Sequence, residues 1–199
     1  MSLSKTPNAE LMKQARATLH GHWWLVLGFT LAYLVISFSA SGIHRIGNVV
    51  SLIVSGPLSV GMALFSLSLV RRQEARFEQL FHGFAKFANA FAAYLLLVLI
   101  VIAWALLLIV PGVIAALRYS MVFFILADEP GLGPVEALKK SKAMMEGNKK
   151  KLFHLLCRFI GWGLLCIPTA GLGILWVFPY VHVTMAHFYC EIREAGGGR

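Results

Sequence analysis

Charge is what this chain has least of. Asp, Glu, Lys and Arg make up 14% of its 199 residues, against about 25% in a soluble domain, which excludes an ordinary water-soluble fold. Acidic residues are scarcer still, nine in all, and none interrupts the middle of a long apolar run. A proton relay or cation path would need carboxylates at membrane depth, so transport coupled to protons or sodium is disfavoured. Cysteine occurs three times, at Cys157, Cys166 and Cys190, in or beside apolar segments. An odd, scattered set implies no disulfide framework. Missing as well are a Ser-His-Asp set, a His-Glu-x-x-His helix and a glycine-rich phosphate loop. The expectation is a protein that is not an enzyme and uses no cofactor.

What the chain does have is apolar length. Hydrophobic residues reach 58%, and the 18 basic residues that outnumber the nine acidic ones lie between long uncharged runs. That placement fits a membrane protein and excludes a nucleic-acid binder. A spanning helix needs about 20 apolar residues. Residues 23–42 and 46–70 each supply one span. The run from 87 to 127, interrupted only by Arg118, is about twice too long for one crossing. Pro111-Gly112 offers the reversal, giving spans at 87–110 and 112–127. Residues 152–190 divide in the same way at 168–173, giving 152–167 and 172–190. The expected architecture is all-α: a single polytopic domain over 1–192 with six transmembrane helices, then a flexible tail at 193–199.

Loop charge sets the orientation. With both termini cytoplasmic, 15 of the 18 basic residues fall on the inner side, as the retention of Lys and Arg there requires. Without the hairpin at Pro111-Gly112, the lysines at 139–151 would face outward. The implied location is a bacterial plasma (inner) membrane. Ser39-Ala40-Ser41 has the composition of a signal-peptide cleavage site, but 22 residues precede the apolar run, too many for a signal peptide. Three segments have the spacing of amphipathic helices: 8–19 with Leu11, Met12, Ala15 and Leu19, 71–86 with Phe77, Leu80, Phe81 and Phe84, and 134–147 with Val135, Leu138, Ala143 and Met145. The first is expected as an interfacial helix leading into the membrane, and the other two either lie on the anionic cytoplasmic leaflet or are solvated basic faces that set topology.

Several residues are candidates for binding. Arg118 lies inside a span, either as a ligand for an anion or lipid phosphate, or bonded to carbonyls freed near Pro57 or Pro111, or snorkelling to headgroups. Arg158 lies near the inner end of its span and has the same choices. Gly56-Pro57 marks either a helix break beside a pocket or a simple kink, and Tyr119 and Tyr180 join these as pocket candidates. His154 and Cys157 share a helix face, as do His187 and Cys190 on the antiparallel partner. Were those faces to converge, they would offer two nitrogens and two sulfurs suited to zinc or copper. Gly161-Trp162-Gly163 has the small residues that let a neighbouring helix approach closely.

Many of these stretches also carry a resemblance. Pro111-Gly112-Val113, Arg118-Tyr119-Ser120-Met121, Ala127-Asp128-Glu129-Pro130, Glu136-Ala137-Leu138, Ser141 to Gly147, Phe159-Ile160-Gly161-Trp162, Pro179-Tyr180 and Phe188-Tyr189 agree in order and spacing with a bacterial family of six-helix membrane proteins. Gly21-His22-Trp23, Gly56-Pro57 and Phe81-His82-Gly83-Phe84 agree more loosely. The chain resembles the family catalogued as domain of unknown function number nine hundred and seventy-five. It is more faintly similar to the membrane domain associated with some glycerophosphodiester phosphodiesterases, without that enzyme's catalytic carboxylates. The main resemblance implies a fold but no chemistry. The functional expectation is a module that binds membrane lipids through their anionic headgroups, or binds a partner membrane protein or a second copy. The alternatives are a small-solute transporter or channel using broken helices, and metal handling.

Overall fold

The computed structural model describes residues 3–41, 47–164 and 173–197. Over these every regular element is a helix, ten in all. They are α1 (Asn8–Leu19), α2 (Trp23–Ser41), α3 (Gly47–Val70), α4 (Gln79–Ala85), α5 (Phe87–Leu107), α6 (Ile109–Arg118), α7 (Val122–Asp128), α8 (Pro134–Met144), α9 (Lys149–Leu164) and α10 (Ile174–Gly197).

Three helical stretches are long and apolar enough to cross a membrane: Val50–Val70, Phe87–Leu107 and Ile109–Asp128. α1 and α2 would form a fourth as a bent pair, but they meet at 98°, through a corner in which Gly21 takes a φ of +94° that side chains disfavour. The expected spans at 152–167 and 172–190 correspond to α9 and α10, which do not meet the same test among the described residues. α9 begins Lys149-Lys150-Lys151 and carries Arg158. α10 mixes His182, Thr184, His187 and Glu191 into its apolar face. The turn expected at 168–173 lies, apart from Gly173, outside the described residues, as does Cys166.

The hairpin between the third and fourth expected spans is present, but its reversal falls at Leu108, whose backbone is extended (φ −164°, ψ 144°). Pro111 sits in the first turn of α6, where a missing N–H breaks no helical bond. Gly112 lets α6 lie against α5, because a Cβ there would come within 2.9 Å of Ala105 Cα. The returning limb is itself broken at residues 119–121. α6 therefore ends at Arg118, halfway along the stretch expected as one span.

α3 is the spine of the fold. Pro57 lies inside it without ending it, so of the two readings offered the helix break is not the one seen, and the neighbourhood is a site of close approach. A Cβ at Gly56 would stand 2.7 Å from the Ala90 carbonyl oxygen of α5. At Gly61 it would overlap the backbone of Leu80, and a Cβ at Gly83 would overlap the carbonyl of Pro57. α4 thus folds back along α3 with backbone against backbone, as small residues permit in membrane proteins. Gly161 and Gly163, by contrast, have open space around them, so no described helix makes the close approach expected there.

Each of the three amphipathic segments buries part of its apolar face against protein, α1 most completely. Leu11, Ala15 and Leu19 of α1 are buried, and the helix packs on α10 and α3. Leu80 is buried, while the Phe77 ring lies against Gly28 of α2. Ala137, Leu138 and Met145, in and just after α8, are buried too. Phe81 and Val135 remain exposed. α10 continues to Gly197 where a tail from 193 was expected, and Arg193 has a reason to be helical, given below.

The end of α3 is unusual in its sequence. The Gln73 N–H bonds the Ser68 carbonyl at 2.9 Å and the Arg72 N–H bonds Leu69 at 3.2 Å, the pair of bonds that closes a helix through a left-handed residue. That residue is nearly always glycine, yet here it is Arg72, with φ 54°. The strain costs about 1 kcal/mol relative to glycine.

Candidate functional site

The charged ends of α3, α7 and α10 meet at one carboxylate. Asp128 closes α7 with its side chain only 5% exposed. It accepts a hydrogen bond from Arg71 Nη1 at 2.6 Å, another from the Tyr189 hydroxyl at 3.0 Å, and an ion pair from Arg193. Two guanidinium groups and a phenol around one carboxylate satisfy a charge that would otherwise be costly to bury. The contact also raises the pKa of Arg71, chiefly through the hydrogen bond to Asp128. Next to it Glu129 pairs with Lys140 at 2.5 Å, which brings α8 to the same node.

A second tie holds the N-terminal segment. Glu191 accepts hydrogen bonds from the Ser4 hydroxyl and, at 2.7 Å, from the Thr6 N–H, and it pairs with Lys151 at 3.5 Å. Burial alone would raise the Glu191 pKa, but these donors and the ammonium hold it below the usual carboxylate value. For Lys151, burial outweighs its pairing with Glu191 and lowers the pKa. Higher on α10, Tyr180 receives Arg16 Nε and donates to the Met12 carbonyl, both at 3.1 Å.

Between the corner of α1 and α2 and the chain that follows α3 lies a half-open cleft of about 880 Å³. His20, His22 and Arg72 line it from two sides, with His187 of α10 in its wall. His187 Nε2 shares a 2.9 Å hydrogen bond with the Thr18 hydroxyl. The carboxylate in the lining, Glu74, is taken up by Arg76 through contacts of 2.5 and 3.1 Å. Arg71 and Arg72, adjacent in sequence, thus go separate ways, one into the buried node and the other to the cleft. A smaller, more apolar pocket of about 340 Å³ lies between α3, α4, α5 and α7, with His82, Lys86 and Asn89 among its lining residues.

The residues singled out from sequence do not assemble into one site. The Pro57 carbonyl lies against Gly83, and Pro57 lines neither of the two cavities described. Tyr180 is a structural tie. Tyr119 lies in the break after α6, and Arg118 just before it is half-buried, its carbonyl accepting from the Ser141 hydroxyl at 3.0 Å. Arg158 is exposed on α9. The two His-x-x-Cys pairs do not converge, because their helices turn them to different neighbours. His154 and Cys157 are exposed, with His154 Nδ1 bonded to its own helix at Lys150. His187 faces Thr18, and Cys190 lies beside Arg71. Among the described residues no group of three or more His, Cys, Asp or Glu could hold a metal. Sequence reasoning missed Asp128 and the cleft. Asp128 did stand inside a family-like motif, and the arginine pair after a long apolar run was the available signal for both.

Ten helices among the described residues, with three stretches of membrane-spanning length and apolarity (α3, α5, and α6 with α7), define a polytopic all-α membrane protein. The chain belongs to the family described as "Protein of unknown function (DUF975)", whose matches cover residues 1–117 and 97–196. No curated protein and no solved structure matches it.

Proposed function

We propose that this chain is a non-enzymatic module of a bacterial inner membrane, with six spans and both termini cytoplasmic, that holds anionic lipid at its basic end. The observation that carries the reading is a set of cations without acidic partners. Lys139, Lys142, Lys149 and Lys150 lie on α8 and the start of α9, and none forms an ion pair among the described residues. Three of them, Lys139, Lys142 and Lys150, are exposed. The apolar face of α1 and part of that of α8 are spent on protein contacts, so attraction to the leaflet rests chiefly on charge. Each lysine near an anionic surface contributes about 1 kcal/mol.

The test is native mass spectrometry of the protein released from mixed bilayers of phosphatidylglycerol and phosphatidylcholine. The expected result is selective retention of the anionic lipid, largely lost when the four lysines are changed to glutamine. Equal retention of both lipids by the unaltered protein would sink the reading.

A further inference from the structure

We propose that the cleft bounded by His20, His22, His187 and Arg72 is a binding site for a phosphate monoester group, separate from the lysines of α8 and α9. The first support is electrostatic. Arg72 and the three imidazoles face the cleft, and its carboxylate, Glu74, is already occupied by Arg76. Among the described residues no hydrogen bond or ion pair engages the side chains of His20, His22 or Arg72. Arginine and histidine are the donors that suit phosphate, since they supply directional N–H groups together with charge.

The second support is backbone strain. Arg72 occupies the left-handed position that closes α3, with φ 54°, where glycine would be at ease. A residue held in such a conformation points to a use for its side chain. The neighbouring Arg71 is committed to Asp128, so Arg72 is the arginine of the pair that is left to meet a ligand.

Size limits the ligand. A cleft of about 880 Å³ is much larger than phosphate alone, and lies toward the upper end of small-molecule sites, about 300–1,000 Å³. The phosphate would sit among His20, His22 and Arg72 while a larger body filled the remainder, lined by Leu69, Val70 and Ala75. Either a phosphomonoester lipid headgroup or a soluble phosphomonoester has this chemistry.

The experiment separates the two sources. Equilibrium dialysis of the full chain in a neutral detergent against inorganic phosphate and against adenosine monophosphate reads the soluble arm. Retention of phosphatidic acid over phosphatidylcholine in nanodiscs reads the lipid arm. The variant Arg72→Gly relieves the strained turn, so its thermal midpoint should be unchanged or higher while affinity falls about tenfold or more, the loss expected for a charged hydrogen-bonding partner. His20→Gln with His22→Gln should weaken binding to a lesser degree. Lys150→Gln, which disturbs the proposed leaflet contact but lies outside the cleft, should leave it unchanged. Binding in either arm that depends on Arg72 supports the site and identifies its source. Binding in neither arm, or binding indifferent to Arg72→Gly in a folded protein, overturns it.

Discussion

The spine helix α3 and the hairpin of α5 and α6 are both built of apolar residues, yet they use them in opposite ways. Along α3, 56% of the membrane-length stretch is buried inside the protein, against 11% along α5. At the hairpin tip Leu106, Leu107, Leu108, Ile109 and Val110 are each at least 65% exposed. Helix α3 is notched by Gly56 and Gly61 and receives α4 and α5 at backbone contact. The hairpin presents leucine, isoleucine and tryptophan outward, a surface that only lipid or another apolar body can solvate. Apolar sequence alone does not say which of these fates a helix will have. Small residues mark it only where a second backbone approaches, as at Gly56 and Gly61 but not at Gly161.

The contrast can be broken from either side. The largest effect is expected at Leu99, which is 56% exposed on α5. Leu99→Lys touches no packed core, so in water it would be nearly silent. In a bilayer it should cost insertion about 2.5–3.5 kcal/mol, measurable as lost membrane integration in a glycosylation-mapping assay, and normal integration would mean that this face does not meet lipid. On the packed side, Asp128→Ala leaves Arg71 and Arg193 facing each other. The loss should be about 3 kcal/mol, the lower end for breaking a buried pair because both guanidiniums are partly exposed. Denaturation in detergent should show it, with Tyr189→Phe giving a smaller loss.

Gly83→Ala should cost about 2–3 kcal/mol by forcing α4 off the Pro57 carbonyl. Gly161→Ala, with open space around it, should be neutral or slightly stabilising. Glu191→Gln should cost about 1–2 kcal/mol by weakening charged hydrogen bonds to residues 4 and 6. The same tie should respond to acid. Because the folded pKa of Glu191 is depressed, its stabilisation is complete above the unfolded value of about 4.3 and is lost as pH falls through the folded value. Faster hydrogen exchange at residues 3–8 on acidification, absent in Glu191→Gln, would show this. The exposed pair of Arg76 and Glu74 marks the bottom of the scale, and Arg76→Ala should leave the thermal midpoint unmoved.

Much of the architecture was legible from charge spacing and run length. The membrane class, the hairpin near residue 110 and the amphipathic character of α1 and α8 all followed from local pattern. What was not legible is which faces meet, since that depends on residues far apart in the chain. Leu11, Ala15 and Leu19 form an apolar stripe whether it lies on lipid or on α10, and only the fold decides. Gly56-Pro57 read as either a break or a kink, because proline signals a lost hydrogen bond. Its partner, Gly83, lies 26 residues later and carries no local signal of that contact. The His-x-x-Cys faces failed for the same reason, since equal spacing on two helices does not fix their rotation. Asp128, Tyr180, Gly83 and Tyr189 all occur in stretches that carry the family resemblance, and all four prove to be positions where helices are fastened together.

The packing of α1 on α10 has a consequence for how the molecule comes to be made. Helix α1 packs chiefly on α10, a partner some 168 positions later in the chain where Tyr180 bonds Met12 and 187 where Glu191 bonds Ser4. During synthesis α3 and α4 can pair as soon as they emerge, being neighbours in sequence. The greasy stripe of α1 must wait until translation has almost finished. In that interval the bilayer surface is the natural resting place for such a helix, so the stripe would rest on the membrane in the nascent chain and pass to α10 only when that helix arrives.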